Sequence, residues 1–169
     1  MNGPRRPPFY GRFRGVVSDN RDPLFLGRIR AKVADVFGDE ESGWALPSFP
    51  FAGDGVGLFL VPPTDANVWI EFEHGDPVYP IWTGCFWANG QQGQVPATPA
   101  LAEVKVLKTD QFTITLNDIE GIGGLTIETK LGMKIKMDAI SLEITNGQGG
   151  TIKMTGPQVT VNDGALEVT

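Results

Sequence analysis

An all-β protein built from two different architectures is what the sequence predicts, and three observations carry the prediction. The 169 residues include 22 Gly and 13 Pro, too many turn formers for a helical bundle. Residues 9–87 contain five strand-sized segments bounded by turn signals. After residue 103 the rhythm changes to short apolar/polar alternations that repeat to the end. A hydrophobic content of 41% fits a folded chain with one sizeable core.

Residues 1–8, MNGPRRPP, have no periodicity and form an arm expected to stay flexible until something binds it. The five predicted strands follow as FRGVVSD, LGRIRAKVADVF, GVGLFLV, NVWIEFEH and VYPIWTGCFW. Pro62, Pro63 and Asp65 break the chain between the third and fourth, Gly75, Asp76 and Pro77 turn it between the fourth and fifth, and residues 47–55 form a longer loop. A five-stranded antiparallel set of this length, residues 9–87, fits an OB-fold, the Greek-key barrel that limits exposed edges by closure. Residues 88–103, rich in Gly, Gln and Pro, read as a linker.

Residues 104–169 read as a needle. Phe112, Ile114 and Leu116 alternate with polar residues, as do Leu125 and Ile127, then Met133, Ile135 and Met137, then Ile140, Leu142 and Ile144. Ile152 and Met154, Val159 and Val161, and Leu166 and Val168 continue the series, with Gly, Asn, Asp or Pro in nearly every gap. Each group is a strand with one apolar face, and such repeats bury that face only by stacking. One narrow ribbon would leave the face wet and its edges open. A homotrimer resolves both problems, with each chain supplying one wall of a C-terminal triple-stranded β-helix. All of these residues except Ile140 are assigned to the trimer core.

The remaining chemistry points away from catalysis, metals and cofactors. A formal net charge of −6 opposes binding to nucleic acid, which requires phosphate neutralisation. Cys85, without a partner cysteine, is expected to be a small core residue. His74 reads as a strand-end or turn residue, because Glu71 and Glu73 on a strand would face away from it, and the two glutamates read as a solvated face. Asp39, Glu40 and Glu41 lack the spacing of a calcium loop, and NGQGGT at residues 146–151 reads as a turn. Trp69, Trp82, Phe86 and Trp87 are expected to pack in the core or an interface rather than stack bases, since no arginine is interleaved with them. No apolar run approaches the roughly 20 residues needed to span a bilayer, so folding in the cytosol is expected.

With these features in place, DPLFLGRIRAKV at residues 22–33, then Trp44, PFAGDGVG at 50–57 and PPTDANVWIEFEHGDPVYPIWTG at 62–84 resemble the OB domain of contractile-tail spike proteins. That family comprises the phage baseplate assembly protein V proteins and the spikes of type VI secretion and extracellular contractile injection systems. The resemblance implies a structural, non-enzymatic trimer at the tip of a tail tube, assembled in the cytoplasm into a virion or injection particle. The needle would meet the target membrane transiently as it pierces. The basic end, with Arg5, Arg6, Arg12 and Arg14, would dock on a baseplate hub. The chain has neither an intervening lysozyme domain nor a His-x-His iron tip, so Leu166, Val168 and Thr169 are expected to bind a separate PAAR-like tip protein. The competing reading is an OB-fold module for a ligand or nucleic acid that its β-structured tail merely trimerises.

Overall fold

The computed structural model describes residues 8–97, 99–162 and 165–168, without the side chains of Gln92, Glu167 and Val168. Arg5, Arg6 and Thr169 lie outside the described residues. The chain divides into two compact units that meet between Gln92 and Gly93.

The first unit holds β1 (Phe13–Asp19), β2 (Arg30–Lys32), a single helical turn α1 (Ala34–Phe37), β3 (Leu46–Pro47), β4 (Ala52–Gly53), β5 (Val56–Gly57), β6 (Asn67–Phe72) and β7 (Pro80–Cys85). Five of the strands form one sheet in the order β2-β1-β6-β7-β3, with β3 running parallel to β7, and β4 and β5 make a separate hairpin. The alternation in β6 places Val68, Ile70 and Phe72 inward, where they join Val17, Ile29, Ala31, Val33, Ala45 and Trp82. Phe9, Phe13 and Phe37 close around Phe72 at centroid distances of 6.1, 5.5 and 5.9 Å. A Cβ at Gly15 would come within 3.1 Å of Ile70 and 3.4 Å of Ala31 and Val33, so the glycine leaves its inward position to these core side chains.

Three expectations for this unit are corrected. The third predicted strand, GVGLFLV, contributes only Val56 and Gly57 to the small hairpin, and Leu58, Phe59 and Leu60 are exposed outside any ladder. The sheet instead takes Leu46–Pro47 as its fifth strand. The second predicted strand is shortened to Arg30–Lys32, after which α1 turns Val36 and Phe37 onto the core. Cys85 is not a core residue: it ends β7 with its side chain exposed, and partial desolvation of the sulfur raises the thiol pKa.

The second unit is an eight-stranded antiparallel meander: β8 (Val104–Lys108), β9 (Phe112–Asn117), β10 (Gly124–Thr129), β11 (Lys134–Asp138), β12 (Ser141–Thr145), β13 (Thr151–Thr155), β14 (Gln158–Val161) and β15 (Leu166–Val168). Each strand pairs with its neighbours in sequence, so the described ladder is completed within one chain. At about 4.8 Å per strand, the meander extends roughly 35 Å across its strands.

Candidate functional site

The register of the meander turns the alternating sequence into two ladders. Leu107, Ile114, Ile127, Ile135, Ile144, Ile152, Val161 and Leu166 stand directly opposite one another from β8 to β15. Beside them, Leu116, Leu125, Met137, Leu142, Met154, Val159 and the backbone of Val168 form a second ladder. Because consecutive residues of a strand face opposite ways, both ladders lie on one face. Phe112, opposite Thr129, and Met133, next to β11, extend that face sideways in the lower strands.

The opposite face carries Thr115, Thr126, Lys136, Glu143, Lys153 and Thr160 in register. Glu143 has a lysine on either side, and Lys134 pairs with Glu128 at 3.4 Å. Lys136 holds the Asp138 carboxyl well below the usual carboxylate range, helped by the N–H groups of Ile140 and Ser141, which donate to Asp138 Oδ1 at 2.9 and 2.8 Å. One face is therefore satisfied by water and charge pairs. The other is not: the nine buried hydrophobic residues among those described all lie between Val17 and Trp82, and Ile135, Ile144, Ile152 and Met154 are each 42% exposed. A sheet with a continuous apolar face and no core of its own requires a covering surface.

In the first unit the D-P-x-x-x-G-R stretch is a folded cage. The Asp22 carboxylate, almost buried, accepts from Arg28 Nε at 3.0 Å and Nη2 at 2.6 Å, and from the backbone N–H groups of Leu24, Leu26 and Arg28. The Arg28 guanidinium holds the Asp22 carboxyl far below its ordinary range, and the Asp22 carboxylate in turn raises the Arg28 pKa. The cage presents Phe25 at 89% exposure in a left-handed conformation (φ 57°). Gly27, at φ 75°, lies where a Cβ would be 2.9 Å from Phe59, and its carbonyl accepts from Trp82 Nε1 at 3.1 Å. Arg28 and Arg30 flank Trp44 at 5.5 and 5.0 Å.

Of the four arginines assigned to docking, Arg12 and Arg14 are described. Arg12 Nε donates to Glu71 Oε1 at 2.8 Å on the exposed surface. Arg14 lies over both Trp69 (5.3 Å) and Phe86 (5.0 Å), whose ring centroids are 4.5 Å apart. That stack corrects the expectation that no arginine is interleaved with the aromatics: β1 and β6 pair Arg14 with Trp69 across 55 residues of sequence. Trp82 is a core residue, whereas Trp87 is exposed. His74 falls in an exposed turn at φ 51°, and Glu73 lies in that turn rather than on the strand with Glu71.

Among the described residues no three His, Cys, Asp or Glu side chains converge as a metal site, and no helix is long and apolar enough to cross a membrane. Residues 13–87 match the type VI secretion system/phage-baseplate injector OB domain, and residues 104–167 match the phage baseplate V C-terminal trimerisation domain. The chain belongs to the baseplate V spike family. None of the curated proteins matches its sequence. As a baseplate V protein it is a structural component of a phage or injection-system particle, and it forms a homotrimer through its C-terminal unit. In this spike, the meander with the uncovered apolar face lies within the stretch that matches the trimerisation domain.

Proposed function

We propose that three copies form a force-bearing needle at the tip of a contractile tube, which sheath contraction drives through the envelope of a target cell, touching its membrane only in passage. The pair of unbroken apolar ladders on a sheet without a core carries this reading. Three such walls, ladders inward, make a solid prism whose layers each contain apolar side chains from every chain. The trimer core comprises the residues from Phe112 and Ile114 through Leu166 and Val168 named above, with Leu107 added. Removing the remaining exposure of one half-exposed aliphatic side chain contributes about 1 kcal/mol. More than a dozen per chain outweigh an association cost of roughly 4–15 kcal/mol, so assembly is strongly favoured.

The hub is proposed to meet the basic N-terminal segment: Arg5 and Arg6 with Arg12, whose exposed pair with Glu71 can exchange for an acidic partner, and Arg14 beside it. A PAAR-like tip protein is proposed at Leu166, Val168 and Thr169, where β15 has a ladder partner on one side only among the described residues.

The stacked Trp69 and Phe86 favour a second reading, a binding platform for bases or another planar ligand. Arg14 already covers both rings, and the chain carries a net charge of −6, so the structural reading is the stronger. Light scattering of the full chain tests the choice. The needle requires three chains of 18.3 kDa per particle, and a monodisperse monomer at micromolar concentration would sink it.

A further inference from the structure

The connections of the meander alternate between two lateral edges. One edge carries residues 109–111, 130–133 and 146–150; the other carries 118–123, 139–140 and 156–157. In a closed ring of three equivalent walls, rotation carries each wall into the next without reversing it. Every corner therefore joins the first edge of one copy to the second edge of its neighbour. Rotation without translation also keeps equivalent strands level, so the β10–β11 connection on one edge meets the β10–β11 level of the other.

What stands at those two places is complementary. On the first edge Leu131 caps the β10–β11 turn at 81% exposure. On the second edge, at the same level, an open groove of about 770 Å³ lies between the β9–β10 and β11–β12 connections. Its apolar lining includes Leu116, Ile119, Ile122, Leu125, Met137 and Ile140, with Ile122 and Ile140 exposed by 72% and 76%. We infer that Leu131 of each copy seats in this groove of the next, locking the three corners of the prism and fixing which layer faces which. The inference rests on the trimeric needle and adds the contact that closes it.

Both surfaces are prepared for the contact. The turn is held by Lys130 N–H donating to the Gln111 carbonyl at 2.8 Å, Gly132 N–H to the Thr129 carbonyl at 3.0 Å and Met133 N–H to Thr129 Oγ1 at 3.2 Å. The groove is walled by an Asx turn at Asn117, whose Oδ1 accepts from Ile119 N–H at 2.9 Å, and by the Asp138 turn, which Lys136 braces at 2.9 Å. At Gly123 a Cβ would come within 2.6 Å of the Asn117 carbonyl oxygen, so the β9–β10 connection closes down only because a glycine is there. Charge agrees as well. Lys130 stands next to Leu131, Glu120 is exposed in the β9–β10 connection between the lining residues Ile119 and Gly121, and neither has an ion pair within the chain among the described residues. A wall fixed before assembly loses little conformational freedom on docking.

Cross-linking decides the matter. In a Cys85→Ser background, Leu131→Cys combined with Ile140→Cys should yield covalent trimers with a short bis-maleimide, and Leu131→Cys alone should yield none. Leu131→Asp should speed subunit exchange on the order of tenfold or more, because the side chain reaches the groove only in the trimer. Glu120→Lys should weaken the trimer, and Lys130→Glu added to it should restore the exchange rate. A trimer by light scattering that does not cross-link in the double variant, that cross-links through Leu131→Cys alone, or that exchanges at an unchanged rate with Leu131→Asp overturns the corner contact and leaves the trimer standing. A monomeric unsubstituted chain overturns both.

Discussion

Asp22 and Arg28 form a two-pronged ion pair, with Arg28 Nε and Nη2 at 3.0 and 2.6 Å from the same carboxylate oxygen. The pair closes a loop of seven residues around three further backbone donors, so one side chain organises the whole connection from β1 to β2. Neutralising it by Asp22→Asn removes the charge that holds those donors and should lower the melting temperature. The folded pKa is depressed, so this contribution is complete above the ordinary carboxylate value of 3.8 and is lost as pH falls below it. The gap in melting temperature between wild type and variant should be full at pH 7 and shrink as the pH is taken below about 4. A gap independent of pH would mean that the carboxylate charge does not stabilise the loop.

Gly27→Ala should cost about 1–2 kcal/mol from its left-handed backbone alone, with more added where the new Cβ meets the Phe59 ring. Denaturant unfolding of the N-terminal transition reads this directly. An unchanged midpoint would mean that the loop relaxes without loss.

Ile135 and Lys153 lie on opposite faces of the meander, which gives a matched test of the trimer core. Ile135→Asp places three unpaired carboxylates inside the prism and should abolish trimer formation. Lys153→Ala, on the wetted face, should change stability by less than about 0.5 kcal/mol and leave the trimer intact. Sedimentation of both variants checks the pair, and a trimeric Ile135→Asp variant would show that this face points outward.

Deleting residues 1–8 should leave the trimer unaffected while weakening hub binding and flattening its dependence on salt, since screened charges act in proportion to their number. Equal affinities for the deleted and full chains at low and high salt would exclude the arm from docking.

Deleting residues 164–169 removes β15 and with it the terminal ladder edge. The shortened chain should remain trimeric and should fail to retain a tip protein in pull-downs from assembled particles. Particles of the intact spike that contain no such protein would leave the apex itself as the leading surface.

The C-terminal sheet was the most legible part of the sequence, because from β9 onward period-two alternation with turn residues in nearly every gap leaves one pairing that keeps the alternating apolar residues on one face. β8 escaped that logic. In VKVLK, Leu107 joins the apolar ladder but Lys105 lies beside Leu116, while Val106 falls on the polar face, so its pattern contradicts its neighbours. In the N-terminal unit GVGLFLV imitates a buried strand by composition alone, and the strand that takes its place in the sheet, Leu46–Pro47, is two residues long and half proline. The Asp22 cage and the Arg14 stack on Trp69 depend on loop closure and on pairing across distant strands. Neither leaves a periodic mark in the sequence.

The meander also makes length a countable quantity. Since each strand bonds only to the strand before and after it, duplicating one hairpin would advance the C-terminal end by about 10 Å without disturbing any existing pair. Hairpins must be added whole, because a single extra strand would deliver the chain to the opposite corner. Needles of different reach can thus arise by tandem duplication of about twenty residues, with each new unit carrying its own share of the inner packing.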